Sequence, residues 1–247
     1  MLKAAAHEIS WPTRVLTAAE AVRFIDAVGF CLLFPVKNVP LPSLYQAAAR
    51  LRPGQKPKWD KYAELIWGWK DEFPRRKRAF YAKYFKGRGT FISLKLLPHF
   101  LSTRGSPLSI SEHEHFYSKG RITRDALVIW QSLAEHGPLP TLELRHACKM
   151  ESTAGNKRYK KAMLELQCLL AVVHFGAEQE TAAWPSARFD LAARAFPKQA
   201  AAARTISPKA ARKTLAAKYL EWHTDAQPAV IQRLFGWTKP ETLASIS

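Results

Sequence analysis

Between Ile122 and about Asp190 the residues follow the order of three short amphipathic helices and then a β-hairpin, and few folds accept that order in so short a span. Thr123 can cap a helix whose inner face is Leu127, Trp130 and Leu133 or Ala134, and Gly137-Pro138 stops it. Thr141 can cap a shorter helix reaching Met150, followed by a turn rich in Ser, Thr, Gly and Asn. The third helix buries Tyr159, Ala162, Met163, Leu166 and Leu170 and turns Lys157, Arg158, Lys160 and Lys161 outward. The apolar, β-branched run from Leu169 to Phe175 reads as a strand, residues 176–183 as the hairpin loop, and a return strand is expected around Trp184. This is the layout of a winged helix-turn-helix, which presents its last helix to the major groove of DNA.

Charge points to the same partner. Lys and Arg total 38 against 20 acids, a formal charge of +18, and an excess of that size favours a polyanion. On the third helix the lysines would hold phosphates, while Arg158 could read guanine edges; the plainer alternative is a solvated basic face. No apolar run approaches the roughly 20 residues needed to cross a bilayer. The segment Met1 to Ser10 is too brief for a signal peptide. Cys31, Cys148 and Cys168 form no C-x-x-C pair, which fits a reducing compartment and excludes a zinc ribbon. The expected location is cytoplasmic, at the nucleoid, without membrane contact.

Upstream, Thr17-Ala-Ala-Glu20 is a capping box opening a helix with Ala18, Ala21, Val22, Ile25 and Val28 on one side and Gly29 as its stop. Phe30 to Val36 reads as a buried strand or core loop, and a second helix is expected from Ser43 to Leu51. A basic loop at Pro53-Gly54 and Lys56-Pro57 precedes a helix from Trp59 to Phe73, whose apolar face is Trp59, Tyr62, Ala63, Ile66 and Phe73. Pro74 should interrupt it. A new helix is expected to carry Arg75, Arg76, Lys77 and Arg78, with Phe80 and Tyr84 four apart on one side. The four cations form a second basic patch, either a backbone clamp or charged solvent surface. Arg88, between Gly87 and Gly89 in a basic turn, could enter a minor groove. Thr90 to Leu97 alternates as a half-buried strand closed by Pro98.

The block Trp67-Gly-Trp-Lys-Asp-Glu72 offers aromatics for stacking a base and carboxylates for activating water, although Trp at helical spacing is commonly core. His113 and His115 with Glu112 and Glu114 diverge on a helix and do not make a metal site, and neither metal nor other cofactor is expected. Past residue 200, Ser207-Pro208 opens a helix with Ala211, Leu215, Tyr219 and Trp222 inward. Ala229 to Phe235 is a short helix ended by Gly236, and Thr238-Lys-Pro-Glu241 is a second capping box. With a polar linker at Ser102 to Ser111, three units are expected. Residues 1–104 form a winged-helix-like unit with a helical insertion, 105–200 the central winged helix-turn-helix, and 201–247 a partial helix-turn-helix. The fold class is mainly α with small β-hairpins.

Several blocks are similar to winged-helix proteins related to the DNA glycosylases AlkZ and YcaQ. They are Gly29-Phe-Cys-Leu-Leu-Phe-Pro-Val-Lys-Asn-Val, Trp67-Gly-Trp-Lys-Asp-Glu, Thr90-Phe-Ile-Ser-Leu, His136-Gly-Pro-Leu and Leu234-Phe-Gly-Trp237. The resemblance implies tandem winged helices forming a C-shaped body on duplex DNA, excision of alkylated bases by active members, and unhooking of interstrand crosslinks by some. Active glycosylases carry a Gln-x-Gln or Gln-x-Asp motif just after the first helix. Here Leu33-Phe-Pro-Val-Lys37 has no glutamine, its nearest polar groups are Lys37 and Asn38, and no catalytic residue carries over. The resemblance also implies a shortened, divergent relative without the β-barrel that follows in those enzymes. Three functions stay open: a non-catalytic duplex DNA-binding protein in repair or regulation, a glycosylase using Asp71 or Glu72, and a winged-helix scaffold that binds protein.

Overall fold

The computed structural model describes residues 14–51, 55–179 and 185–247. Met1 to Ser10, Pro53-Gly54 and Trp184 lie outside the described residues. The first helix starts where its caps dictate. Thr17 and Glu20 each satisfy a free amide of α1 (Ala18–Val28), and Gly29 ends it at φ 83°, a conformation that a side chain disfavours. Then follow β1 (Phe30–Leu32), α2 (Leu44–Ala49), α3 (Lys61–Arg75), β2 (Phe80–Lys83), a 3-10 turn (Phe85–Gly87) and β3 (Gly89–Ile92). Past α4 (Leu97–Arg104) and α5 (His113–Ser118) a similar order recurs: α6 (Arg124–His136), β4 (Leu139–Pro140), α7 (Thr141–Ala147), α8 (Thr153–Cys168), β5 (Val172–Glu178) and β6 (Ser186–Leu191). Five helices complete the chain: α9 (Ala192–Ala195), α10 (Pro197–Ala203), α11 (Pro208–Leu220), α12 (Pro228–Phe235) and α13 (Lys239–Ile246).

Each half therefore runs helix, strand, two helices, then two strands. Each makes a three-stranded antiparallel sheet with its last strand in the middle, β1-β3-β2 and β4-β6-β5. Mainly helical architecture with two small sheets agrees with the sequence expectation.

The first sheet is buried on both faces because its alternating residues are apolar on both sides. Cys31, Tyr81 and Phe91 pack toward α1, α2 and α3. Phe30, Leu32, Phe80, Ala82 and Ile92 face the opposite way, onto α4, α10, α11 and α12. That second cluster also holds Leu170, Val173 and Phe196, so one apolar body joins residues from Phe30 to Trp237. The second sheet closes a separate core from Phe116 to Leu191, in which Trp130 is buried and its indole N–H reaches the Ile110 carbonyl at 2.9 Å. Among the described residues no helix is long and apolar enough to cross a membrane.

Several expected elements differ. The run after Pro74 is not a helix: Pro74 is buried inside the last turn of α3, and the helix ends by its own backbone. Lys77 takes φ 52°, its N–H bonds the Pro74 carbonyl, and the Arg78 N–H bonds the Phe73 carbonyl. This is a Schellman closure with lysine where glycine is usual. Phe80 to Lys83 then enters the sheet beside β3, where aromatic side chains pack well. Trp59 is exposed and not on the inner face of α3. The strand after Thr90 ends at Ile92, and Pro98 stands in the first turn of α4, a helix that overlaps the expected linker. Thr141 is the first residue of α7, not its cap, and its hydroxyl bonds the Ala187 carbonyl at 2.7 Å. β5 continues through Gly176 to Glu178. The short helices α9 and α10 had no expected counterpart.

Phe235 tests the continuity of this body, since its ring lies 5.8 Å from both Phe30 and Phe85 and 4.4 Å from Trp237. Phe235→Ala should lower stability by about 3–5 kcal/mol in urea denaturation, as one shifted transition. A separate early transition with the main one unmoved would show that the last helices unfold alone.

Candidate nucleic-acid interface

The outer face of α8 follows from its inner one. Tyr159, Ala162, Met163 and Leu166 are buried, which leaves Lys157, Arg158, Lys160 and Lys161 exposed. Ser152 caps the helix through the Gly155 N–H at 3.0 Å. The four cations are not equivalent. The Arg158 guanidinium grips Asp125 with two hydrogen bonds, Nε to Oδ2 at 2.9 Å and a terminal nitrogen to Oδ1. That hydrogen bond holds the Asp125 carboxyl below its ordinary range and raises Arg158. Arg158 is thus committed to the first turn of α6, and reading a base would require it to release Asp125. Among the described residues no hydrogen bond or ion pair ties down the three lysines, although Lys161 is near enough to Asp125 to help lower its carboxyl, and they form the cationic surface of α8.

The other end of α8 meets the first half of the chain. The Lys83 N–H bonds Gln167 Oε1 at 3.1 Å, and Cys168 Sγ donates to the Lys83 carbonyl at 3.2 Å. Gly87, at φ 68°, lies against Leu164, whose Cδ1 would be 3.2 Å from any Cβ there. The turn bearing exposed Lys86 and Arg88 is thereby set at the edge of the α8 face. Lys86 also bonds the carbonyl of Asn38, which with Lys37 lies in an exposed turn.

Arg75, Arg76, Lys77 and Arg78 all sit exposed at the end of α3. Glu72 draws Arg76 to 3.4 Å and Arg78 to 4.0 Å. Arg75 goes the other way and lies along Gly176 of β5, just before the hairpin loop. The structure therefore brings the turn that carries Arg88 to α8 and Arg75 to β5, and leaves Arg76 and Arg78 with Glu72. Packing is reciprocal: the turn of the first sheet abuts the third helix of the second half, and β5 of the second sheet abuts the third helix of the first.

At that second contact sits a cluster of ionisable groups. Asp71 Oδ1 accepts from Lys70 Nζ at 2.7 Å and from His174 Nε2, and the His174 ring meets Tyr81 and Phe189 edge to face at 5.6 and 5.4 Å. Burial pushes His174 below its ordinary 6.5, against the opposing pull of Asp71, so the ring is neutral and donates its Nε2 proton. Burial would raise Asp71, but the hydrogen bonds from His174 and Lys70 outweigh it and hold the carboxyl below its usual range. Burial likewise lowers Lys70. The charged pair is Lys70 with Asp71, and His174 is its neutral third member. Of the two carboxylates singled out from the sequence, Asp71 lies in this contact and Glu72 in the arginine turn. Of the two tryptophans of that block, Trp69 is core, stacked on Phe73 at 5.7 Å, and Trp67 is exposed. His113 and His115 take separate environments, beside Trp130 and Phe116, and the described residues hold no group of three or more potential metal ligands.

Sequence reasoning missed His174, Asp125 and Gln167. A histidine inside the buried run Val172-Val-His-Phe was the one available signal. Asp125 and Gln167 become partners only through contacts 33 and 84 residues away in the chain.

A family model described as AlkZ related matches residues 15–236, nearly the whole chain. The chain belongs to the AlkZ-related family, a group tied to DNA repair. No curated protein and no solved structure matches it.

The cluster predicts an acid-sensitive contact. His174 is held neutral in the fold but titrates near 6.5 when unfolded, so stability is fully present above pH 6.5 and falls as pH drops toward the lowered folded value. Asp71 adds a further loss below its ordinary 3.8. His174→Gln, which keeps an N–H donor for Asp71, should flatten the decline between pH 6.5 and 5 by up to about 1.4 kcal/mol per unit. Urea midpoints measured across that range check it, and parallel curves would contradict it.

Proposed function

We propose that this protein binds duplex DNA, chiefly through the phosphate backbone, with two winged helix-turn-helix units, and acts in the repair of alkylated or crosslinked bases. The observation that carries the reading is the reciprocal packing of the two halves. It sets the lysine face of α8 beside the Lys86–Arg88 turn, and the α3 arginine turn beside β5. In winged-helix terms α3 and α8 are the third helices, and the 85–88 turn is the wing of the first unit. The first junction carries cations from two elements, α8 and the 85–88 turn, and the second carries those of the α3 turn, an arrangement that suits a rigid, phosphate-tracking surface. Family membership supports repair as the setting. In this reading 1–104 and 105–200 each contribute one unit, and 201–247 braces the first sheet.

A second reading makes the protein a glycosylase with Asp71 as its acidic group. It is favoured by the position of that carboxylate, kept ionised and about a quarter exposed where α3 meets β5. Incubation with alkylated or crosslinked duplex, followed by alkaline cleavage at abasic sites, separates the readings. Cleavage equal to a protein-free blank rules catalysis out; because Asp71 also holds Lys70 and His174, excess cleavage lost in Asp71→Asn supports catalysis only where circular dichroism shows the variant still folded at the assay temperature.

Binding is tested on α8. Replacing Lys157, Lys160 and Lys161 with alanine should change stability by no more than about 0.5 kcal/mol, since all three are exposed. Affinity for duplex should fall, and the slope of log K against log salt should become shallower by about 0.9 per lysine. An unchanged slope would remove α8 from the interface.

A further inference from the structure

We infer that Trp59 and Trp67 form a stacking platform for an unpaired nucleobase, so that the first half of the molecule grips an extruded or single-stranded base while α8 holds backbone. Trp59 is 56% exposed, the most exposed large apolar side chain among the described residues, and Trp67 is 38% exposed. The two rings adjoin at 5.6 Å and 70°, making a corner of two aromatic surfaces on the outside of α3. An aromatic corner left in water is costly unless a partner covers it.

The corner is built. Trp59 immediately precedes the N-cap of α3, and that segment is pinned: Tyr45 donates to Asp60 at 2.8 Å, and the Lys58 N–H bonds the Tyr45 hydroxyl at 3.2 Å. Asp60 in turn accepts from the Tyr62 and Ala63 amides at 2.9 and 3.0 Å. Trp67 is fixed by the Lys70 ammonium, 4.5 Å from its ring centroid. A platform held in this way loses little freedom on binding.

Gly68 is the second, independent observation. It stands mid-helix beside Trp67, and a Cβ there would meet nothing within 4 Å. Nothing in the fold requires glycine at this position, where it costs helix stability relative to alanine. A bare backbone next to an aromatic corner lets a flat ligand approach closely.

Charge selects the ligand. Lys56, Lys58 and Lys61 are exposed around Trp59, with Glu64 the exposed acid on the same side, so the surroundings are net cationic. Along the helix, Trp67 lies about 12 Å from Arg75, at 1.5 Å per residue. A strand held by the arginine turn therefore passes near the corner. Aromatic rings flanked by cations suit a base and its phosphates, and tolerate any base because each has a π-face.

This inference rests on the proposed DNA reading, and three labelled probes keep the two apart in fluorescence anisotropy: a paired duplex, the same duplex with one extrahelical base, and a short oligo-dT. The wild type should bind the bulged duplex about tenfold tighter than the paired one, the share of one base–aromatic stack. Trp59→Ala should abolish that advantage and weaken oligo-dT binding, with paired-duplex affinity changed less than twofold. Gly68→Gln should do the same while raising the thermal midpoint, which excludes misfolding as the cause. A bulge advantage absent from the wild type, or retained in both variants, overturns the platform while paired-duplex binding stands. Loss of paired-duplex binding with Trp59-dependent oligo-dT binding retained would sink the duplex reading and leave the platform.

Discussion

Asp71 is the residue on which the contact between the two halves turns. It sits on the third helix of the first half and accepts from His174 in the first strand of the β5–β6 hairpin, with Lys70 as its counter-charge. Lys70 and His174 are almost fully buried, so the carboxylate cannot be removed without stranding a buried cation, a loss of about 3–5 kcal/mol in comparable sites. The contact uses one face of Asp71 structurally, whatever else the carboxylate does.

Around that contact the two halves exchange support. The first sheet, buried on both faces, is a rigid layer between α1–α3 and the helices near the C-terminus. From it the 85–88 turn projects onto α8, and from the second sheet β5 returns onto α3. The basic side chains are fixed in position by this exchange and not by any one element. α8 supplies free lysines because its arginine and its glutamate are both spent on the start of α6: Arg158 on Asp125, and Glu165 on the Thr123 amide and hydroxyl at 2.8 and 2.7 Å. Cationic surface and structural ion pairs thus divide along one helix.

The parts of this architecture legible in the sequence are those with local signals. Capping boxes at Thr17 and Thr238 and the Thr123 and Ser207 caps begin their helices where expected. The apolar stripe of α8 also places its lysines in solvent. What failed depended on distant partners. Phe80 and Tyr84 are four apart, as on a helix face, but pairing with β3 makes the segment a strand, and no glycine marks the left-handed turn at Lys77. Pro98 opens a helix instead of closing a strand, since proline suits a first turn as well as a break. The alanine-rich α9 and α10 carry no side-chain cap to announce them. For the site, composition located the cations, but which of them are free was decided for Arg158 by Asp125, 33 residues away, and for Arg76 and Arg78 by Glu72 in their own turn.

Lysine acetylation with and without duplex DNA, read by mass spectrometry, examines the central claim most directly. If cations from both halves act as one surface, duplex should protect Lys157, Lys160 and Lys161 together with Lys86 and Lys77. The exposed lysines of α11 and α13, Lys209, Lys213 and Lys239, should stay reactive. Protection confined to α8, or shifted to α11 and α13, would contradict the account.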